Sequence, residues 1–127
     1  DIKLIKTTVP KDWEKYSIHA INPVLFLFPK LGKISKNIVW KSQDRVTLIA
    51  EFSNGTELQI QSAGKCTIPI NLSIYGEHGY KNILIQDTFY AFKKSLMKFE
   101  QCILTEESDT KPDELIRNIA LLELGMK

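Results

Sequence analysis

Between residues 45 and 103, three stretches of alternating apolar residues run into one amphipathic helical stretch, an order that narrows the fold to small α+β designs. In residues 46–52, Val46, Leu48, Ala50 and Phe52 share one face. In residues 56–60, Thr56, Leu58 and Ile60 share one face, with Glu57, Gln59 and Gln61 opposite. An Asn-Gly pair between strands usually marks a two-residue hairpin loop. Here that loop would set Phe52 against Glu57 and Glu51 against Leu58. A three-residue loop, Ser53-Asn54-Gly55, sets Phe52 against Thr56, Ala50 against Leu58 and Leu48 against Ile60. A slip of one residue turns every side chain to the other face, so the shared apolar face selects the longer loop. Gly55 then occupies the left-handed position of a bulge.

A third alternation runs through Cys66, Ile68, Ile70, Leu72 and Ile74, and predicts an antiparallel meander with one buried face. Pro69 cannot donate to a ladder, which places this strand at an edge or gives it a bulge. Gly76-Glu77-His78-Gly79 reads as a loop. Beyond it, Ile85, Phe89, Phe92, Leu96, Phe99 and Ile103 recur at spacings of 4, 3, 4, 3 and 4, predicting a helix over 87–104 with Asp87 as N-cap. Lys93, Lys94 and Lys98 occupy its other side, and the apolar face of the meander is its natural partner. Residues 105–111 are a polar linker. Pro112, Asp113 and Glu114 open a helix over 112–126. Its stripe of Leu115, Ile119, Leu122 and Met126 is widened by Ile116, Leu121 and Leu124, so it wants two partners, either in a crevice of this domain or on another chain.

Upstream the signals are weaker. Residues 2–9 are β-prone and end at Pro10, and residues 11–22 read as irregular cover or a short helical turn. The apolar run Val24–Phe28, bounded by Pro23 and Pro29, reads as a buried strand. It falls far short of the roughly 20 residues of a membrane-spanning helix. A Lys/Gly/Pro-rich connection extends through residue 36, and Ile38-Val39-Trp40 begins the next strand. The expected architecture is one α+β domain over residues 1–127: an antiparallel sheet of about six strands packed by helix 87–104, with a second, terminal helix.

Function is less legible. The 127 residues carry a net charge of +2, with 43% hydrophobic and 25% charged residues, as in ordinary globular chains. Charge is uneven: Lys30, Lys33, Lys36, Lys41 and Arg45 face only Asp44 in their segment, while Glu106, Glu107, Asp109, Asp113 and Glu114 crowd the far end. His19 and His78 are far apart, with no Cys or carboxylate at metal-ligand spacing. No phosphate-binding glycine loop or nucleophile motif is present. The residues therefore suggest neither catalysis, nor a metal, nor a cofactor. Cys66 and Cys102 lie on apolar stripes and read as buried free thiols. Asn54-Gly55-Thr56 and Asn71-Leu72-Ser73 match the glycosylation sequon, but turn and strand roles account for both asparagines. The start lacks an initiator Met and a signal-like segment, so a piece of a larger protein inside the cell (cytoplasm, centrosome or nucleus) is the expectation.

The stretch Phe52-Ser53-Asn54-Gly55-Thr56-Glu57-Leu58-Gln59-Ile60 resembles the strand–turn–strand element of polo boxes, where Phe-Asn-Asp-Gly-Ser/Thr-x-Leu recurs. Strand sequence through Tyr75-Gly76-Glu77 and then the Phe89–Ile103 helix extend the resemblance over residues 37–104. It implies a non-catalytic module that dimerises or binds partner peptides. The His/Lys pair that reads phosphate in some polo boxes has no counterpart here, and phosphate recognition is not implied. Pleckstrin-homology-like domains share the strands-then-helix order. Under that alternative, Lys30, Lys33 and Lys36 would face anionic lipid, or the Lys30–Arg45 segment nucleic acid. The leading expectation is protein–protein interaction. A partner peptide or helix would lie in the groove between sheet and helix, or two copies would associate through an edge strand or helix 112–126. The contact residues expected are Trp40, Lys41, Arg45, Tyr75, Phe92, Leu115, Ile119 and Leu122.

Overall fold

The computed structural model describes residues 1–86, 88–108 and 111–127. Strand β1 (Ile2–Val9) opens the chain and is followed by a short helix α1 (Trp13–Tyr16) and helix α2 (Ile18–Leu27). Five strands come next: β2 (Ile34–Ser42), β3 (Arg45–Phe52), β4 (Glu57–Ser62), β5 (Ile70–Gly76) and β6 (Tyr80–Ile85). Helices α3 (Thr88–Thr105) and α4 (Pro112–Met126) complete it. The sheet has six strands in the order β2-β3-β4-β1-β5-β6. The class is α+β, as expected. The sheet is mixed rather than purely antiparallel, because β1 runs parallel to β4 while the other pairings are antiparallel.

The central hairpin adopts the register its pattern demands. Leu48 pairs with Ile60 and Ala50 with Leu58, and the Phe52 amide donates to the Thr56 carbonyl at 2.9 Å. Gly55 sits at φ 85°, where a side chain would be strained. The Asn54 side chain accepts the Thr56 amide at 3.0 Å, giving Asn54 a turn role as expected.

The meander breaks at the third strand. β5 begins only at Ile70, immediately after Pro69, and residues 66–69 form no regular element. β5 pairs with β1, not β4. The connection from β4 crosses the end of β1, pinned there by Ala63 N–H to Val9 O at 2.9 Å and by the paired amides and carbonyls of Lys11 and Gly64. Cys66 is accordingly exposed and Cys102 half-buried, so the thiols are not core residues.

The Val24–Phe28 run, expected to be a buried strand, is instead the end of helix α2 through Leu27, because a short apolar run suits either element. In α2, Ala20, Ile21, Val24 and Leu25 are buried while Phe26 and Leu27 face out, a helical rather than an alternating division. Pro23 is tolerated inside the helix. α2 covers β1 and β5, and α4 lies against β3, α1 and α2, so the apolar sheet face is roofed by these elements. Helix 87–104, expected to be that roof, does not serve as one. Its described stripe residues Leu96, Phe99 and Ile103 are 52–64% exposed, because the space over the sheet is already filled. Ile85 belongs to β6, and the Asp87 cap lies outside the described residues.

α4 spans 112–126 as read, and packs in cis, but through a different face. Asn118, Leu121 and Gly125 are buried and Leu122 is half-buried, while Leu115, Ile119 and Met126 point outward. The lock is Trp13, 4% exposed, whose indole N–H donates to Leu122 O at 2.8 Å. The ring lies on Gly125 so closely that a Cβ there would overlap it. Lys41 Nζ donates to Met126 O at 2.8 Å and Arg117 to Pro29 O at 3.1 Å, tying down the C-terminal end and the N-terminal half of α4. We expect Gly125→Ala to lower stability by about 1–3 kcal/mol through this overlap, and Gly55→Ala by about 1 kcal/mol through its backbone alone. Urea unfolding midpoints check both, and a neutral Gly125→Ala would show that the indole does not sit there.

Candidate functional site

One side of the sheet is roofed, and the side chains of the other side form a ladder of rows set by the register. The first row across β2, β3, β4, β1, β5 and β6 is Lys36, Glu51, Glu57, Leu4, Tyr75 and Tyr80. The second is Ile38, Ile49, Gln59, Lys6, Ser73 and Asn82. The third is Trp40, Thr47, Gln61, Thr8, Asn71 and Leu84. A sheet face turned to water normally alternates to polar residues. This one does so only in part of its middle, where Leu4, Ile49 and Tyr75 interrupt the polar rows.

Its two lateral margins are apolar and aromatic. Trp40 is 71% exposed and Ile38 67% on β2, and Tyr80 is 74% and Leu84 53% on β6. Trp40, Ile38 and Ile49, with Ser42, Arg45, Thr47 and Gln61, line a shallow cleft of about 340 Å³ at the β2–β3 margin. Between the margins lie amides and hydroxyls, with Gln61 donating to Thr47 Oγ1 at 3.3 Å and Gln59 to the Glu57 carboxylate. Lys6 stands near the centre, exposed. Lys36 lies 3.9 Å from Glu51.

The expected contact residues divide. Trp40, Arg45 and Tyr75 come together on this open face. Lys41 points to the opposite side and is engaged by the end of α4. Leu115 and Ile119 are exposed on α4, away from the sheet, and Leu122 is half-buried with its carbonyl taken by Trp13. The side chain of Phe92 lies outside the described residues. Among the described residues the groove between sheet and helix 87–104 has no counterpart, since Leu96, Phe99 and Ile103 of α3 lie in solvent. Sequence reasoning missed Ile38, Lys6, Glu57, Tyr80 and Leu84 as members of one surface. The alternation within β2 and β6 was the available signal, but only strand order brings them onto one face.

The cationic alternative gains no shared patch. Lys36 is on the open face beside Glu51, Lys30 borders a cleft with Asp1, Lys3 and Leu27, and the Lys33 amide and carbonyl both bond Ser53. Among the described residues, no group of three or more His, Cys, Asp and Glu could hold a metal ion, and no helix is long and apolar enough to cross a membrane. His78 lies in the β5–β6 turn, and His19 stacks edge-on against Tyr16 at 5.5 Å. We expect Phe99→Ser and Ile103→Ser in α3 to change stability by less than about 0.5 kcal/mol, whereas Ile21→Ala or Leu121→Ala costs about 2–5 kcal/mol. Chemical denaturation of the four variants separates exposed stripe from core. No protein-family model matches the chain, and no curated protein matches it either.

Proposed function

We propose that this protein is a non-catalytic association module that pairs with a second copy of itself through the open face of its sheet. The observation that carries this reading is the exposed Trp40, Ile38, Tyr80 and Leu84 on the margins of a surface whose middle is mainly polar. Aromatic anchors beside hydrogen-bonding groups are the composition of protein interfaces, and exposed apolar patches of this kind mark them. The face carries Lys6, Lys36 and Arg45 against Glu51 and Glu57, so its charge is nearly balanced. An anionic membrane or a nucleic acid attracts a field of one sign. A balanced face instead suits a protein surface of the same kind. At roughly 4.8 Å between strands, six strands and three to four rows give about 600 Å² per copy, close to the about 800 Å² that each partner contributes to a standard interface.

The polo-box resemblance points to the same class of function, while the present reading stands on the open face alone. Analytical ultracentrifugation over a concentration series tests it. We expect a monomer–dimer equilibrium, weakened about tenfold or more by Trp40→Glu and by Tyr80→Glu, with far-UV spectra and urea midpoints unchanged. A chain that stays monomeric up to hundreds of micromolar, or a dimer indifferent to both substitutions, overturns the reading. So would co-sedimentation with anionic vesicles that is lost on neutralising Lys30, Lys33 and Lys36.

A further inference from the structure

We infer that the two copies stack about a two-fold axis that runs along the strands, between β4 and β1, so that Lys6 of each copy lies over the Glu57–Gln59 stretch of the other. This inference rests on the association reading above, and it follows from how charge is distributed by strand. On the open face β1 presents Leu4, Lys6 and Thr8, a single cation and no anion. β4 presents Glu57, Gln59 and Gln61, a single anion and no cation.

Two simple isologous stackings exist for a pair of sheets face to face. An axis across the strands lays each strand over its own copy. Lys6 then meets only Leu4, Lys6 and Thr8, and Glu57 only Glu57 and the two glutamines. Neither charge finds a partner, and the two lysines approach each other. An axis along the strands exchanges the two sides of the sheet: β1 covers β4, β3 covers β5 and β2 covers β6. Each central lysine then stands over Gln59 of the other copy, one row along the strand from the Glu57 carboxylate and within reach of a long side chain, twice over by symmetry. Row by row, the same exchange lays Trp40 of β2 over Leu84 of β6, apolar on apolar, with Lys36 over Tyr80 and Ile38 over Asn82. Like charges set opposite one another across an interface are the usual device against wrong pairings, and here they act against the crossed arrangement. Stacked sheets rotate about 30° relative to each other, which displaces the margins more than the centre. The contact nearest the axis is therefore the one to test.

A charge swap between copies does so. The Lys6→Glu variant and the Glu57→Lys variant, each alone, place like charges together at both symmetric contacts, and each should dimerise about tenfold more weakly than the parent chain. Mixed in equal amounts, the two variants restore opposite charges at both contacts of the mixed dimer. We expect the mixture to regain the parental affinity to within about threefold, read by sedimentation or by fluorescence transfer between differently labelled chains. Effects within one chain are the same in the mixture as alone, so they cannot produce the rescue. A mixture as weak as its components, or single variants that dimerise like the parent, would overturn this arrangement while leaving the association reading intact. A monomeric parent chain overturns the association reading itself, and this inference falls with it.

Discussion

The structure turns on β1. Without Ile2–Val9 the chain would hold two unconnected β units, the β2-β3-β4 meander and the β5-β6 hairpin, the second too small to keep a stable face on its own. β1 joins them by pairing parallel to β4 on one side and antiparallel to β5 on the other. Its alternate residues Ile5, Thr7 and Val9 are buried beneath the helical layer. Its carbonyls also reach further: Ile2 O accepts the Thr56 hydroxyl at 3.0 Å, and Val9 O accepts the Ala63 amide at 2.9 Å. The strand formed first in sequence thus depends on contacts that come fifty or more residues later, and those contacts fix where every other strand lies.

Centring the sheet on β1 also decides what covers it. α1 and α2 follow β1 directly and are carried back over β1 and β5, and α4 returns from the end of the chain to close over β3. The Trp13–Gly125 contact and the Trp13–Leu122 hydrogen bond join the first helix to the last, so the roof is one unit built from both termini. With that roof in place α3 has no apolar surface left to cover. Its stripe is the most conspicuous helical pattern in the sequence, yet the described members Leu96, Phe99 and Ile103 face solvent. Amphipathicity indicates that a helix has something to bury, and it does not say where.

The open face follows from the same arrangement. Three helices on one side and none of them on the other leave a flat, row-ordered surface with aromatic margins and one cation and one anion near its centre. Its polar groups are spread in rows along the strands rather than converging on a point. What it offers is area, hydrogen-bonding groups and charges placed by strand, which is the material of association between proteins.

The sequence by itself determined the local geometry wherever neighbouring residues carried the information. The Ser53-Asn54-Gly55 loop and the Leu48–Ile60 register were legible because a one-residue slip inverts every side chain. The 112–126 boundaries of α4 were legible because Pro112 marks the start of a helix. The sequence pointed the wrong way at Val24–Phe28, read as a buried strand, since a short apolar run fits a buried strand as well as a buried helix. Tertiary structure alone decided that β1 enters the middle of the sheet, that α4 buries Leu121 rather than Ile119, and that Trp40, Lys6, Glu57 and Tyr80 share one face. Those outcomes rest on pairings between distant segments, and hydrophobic periodicity records which side of an element is apolar, not which element will meet it.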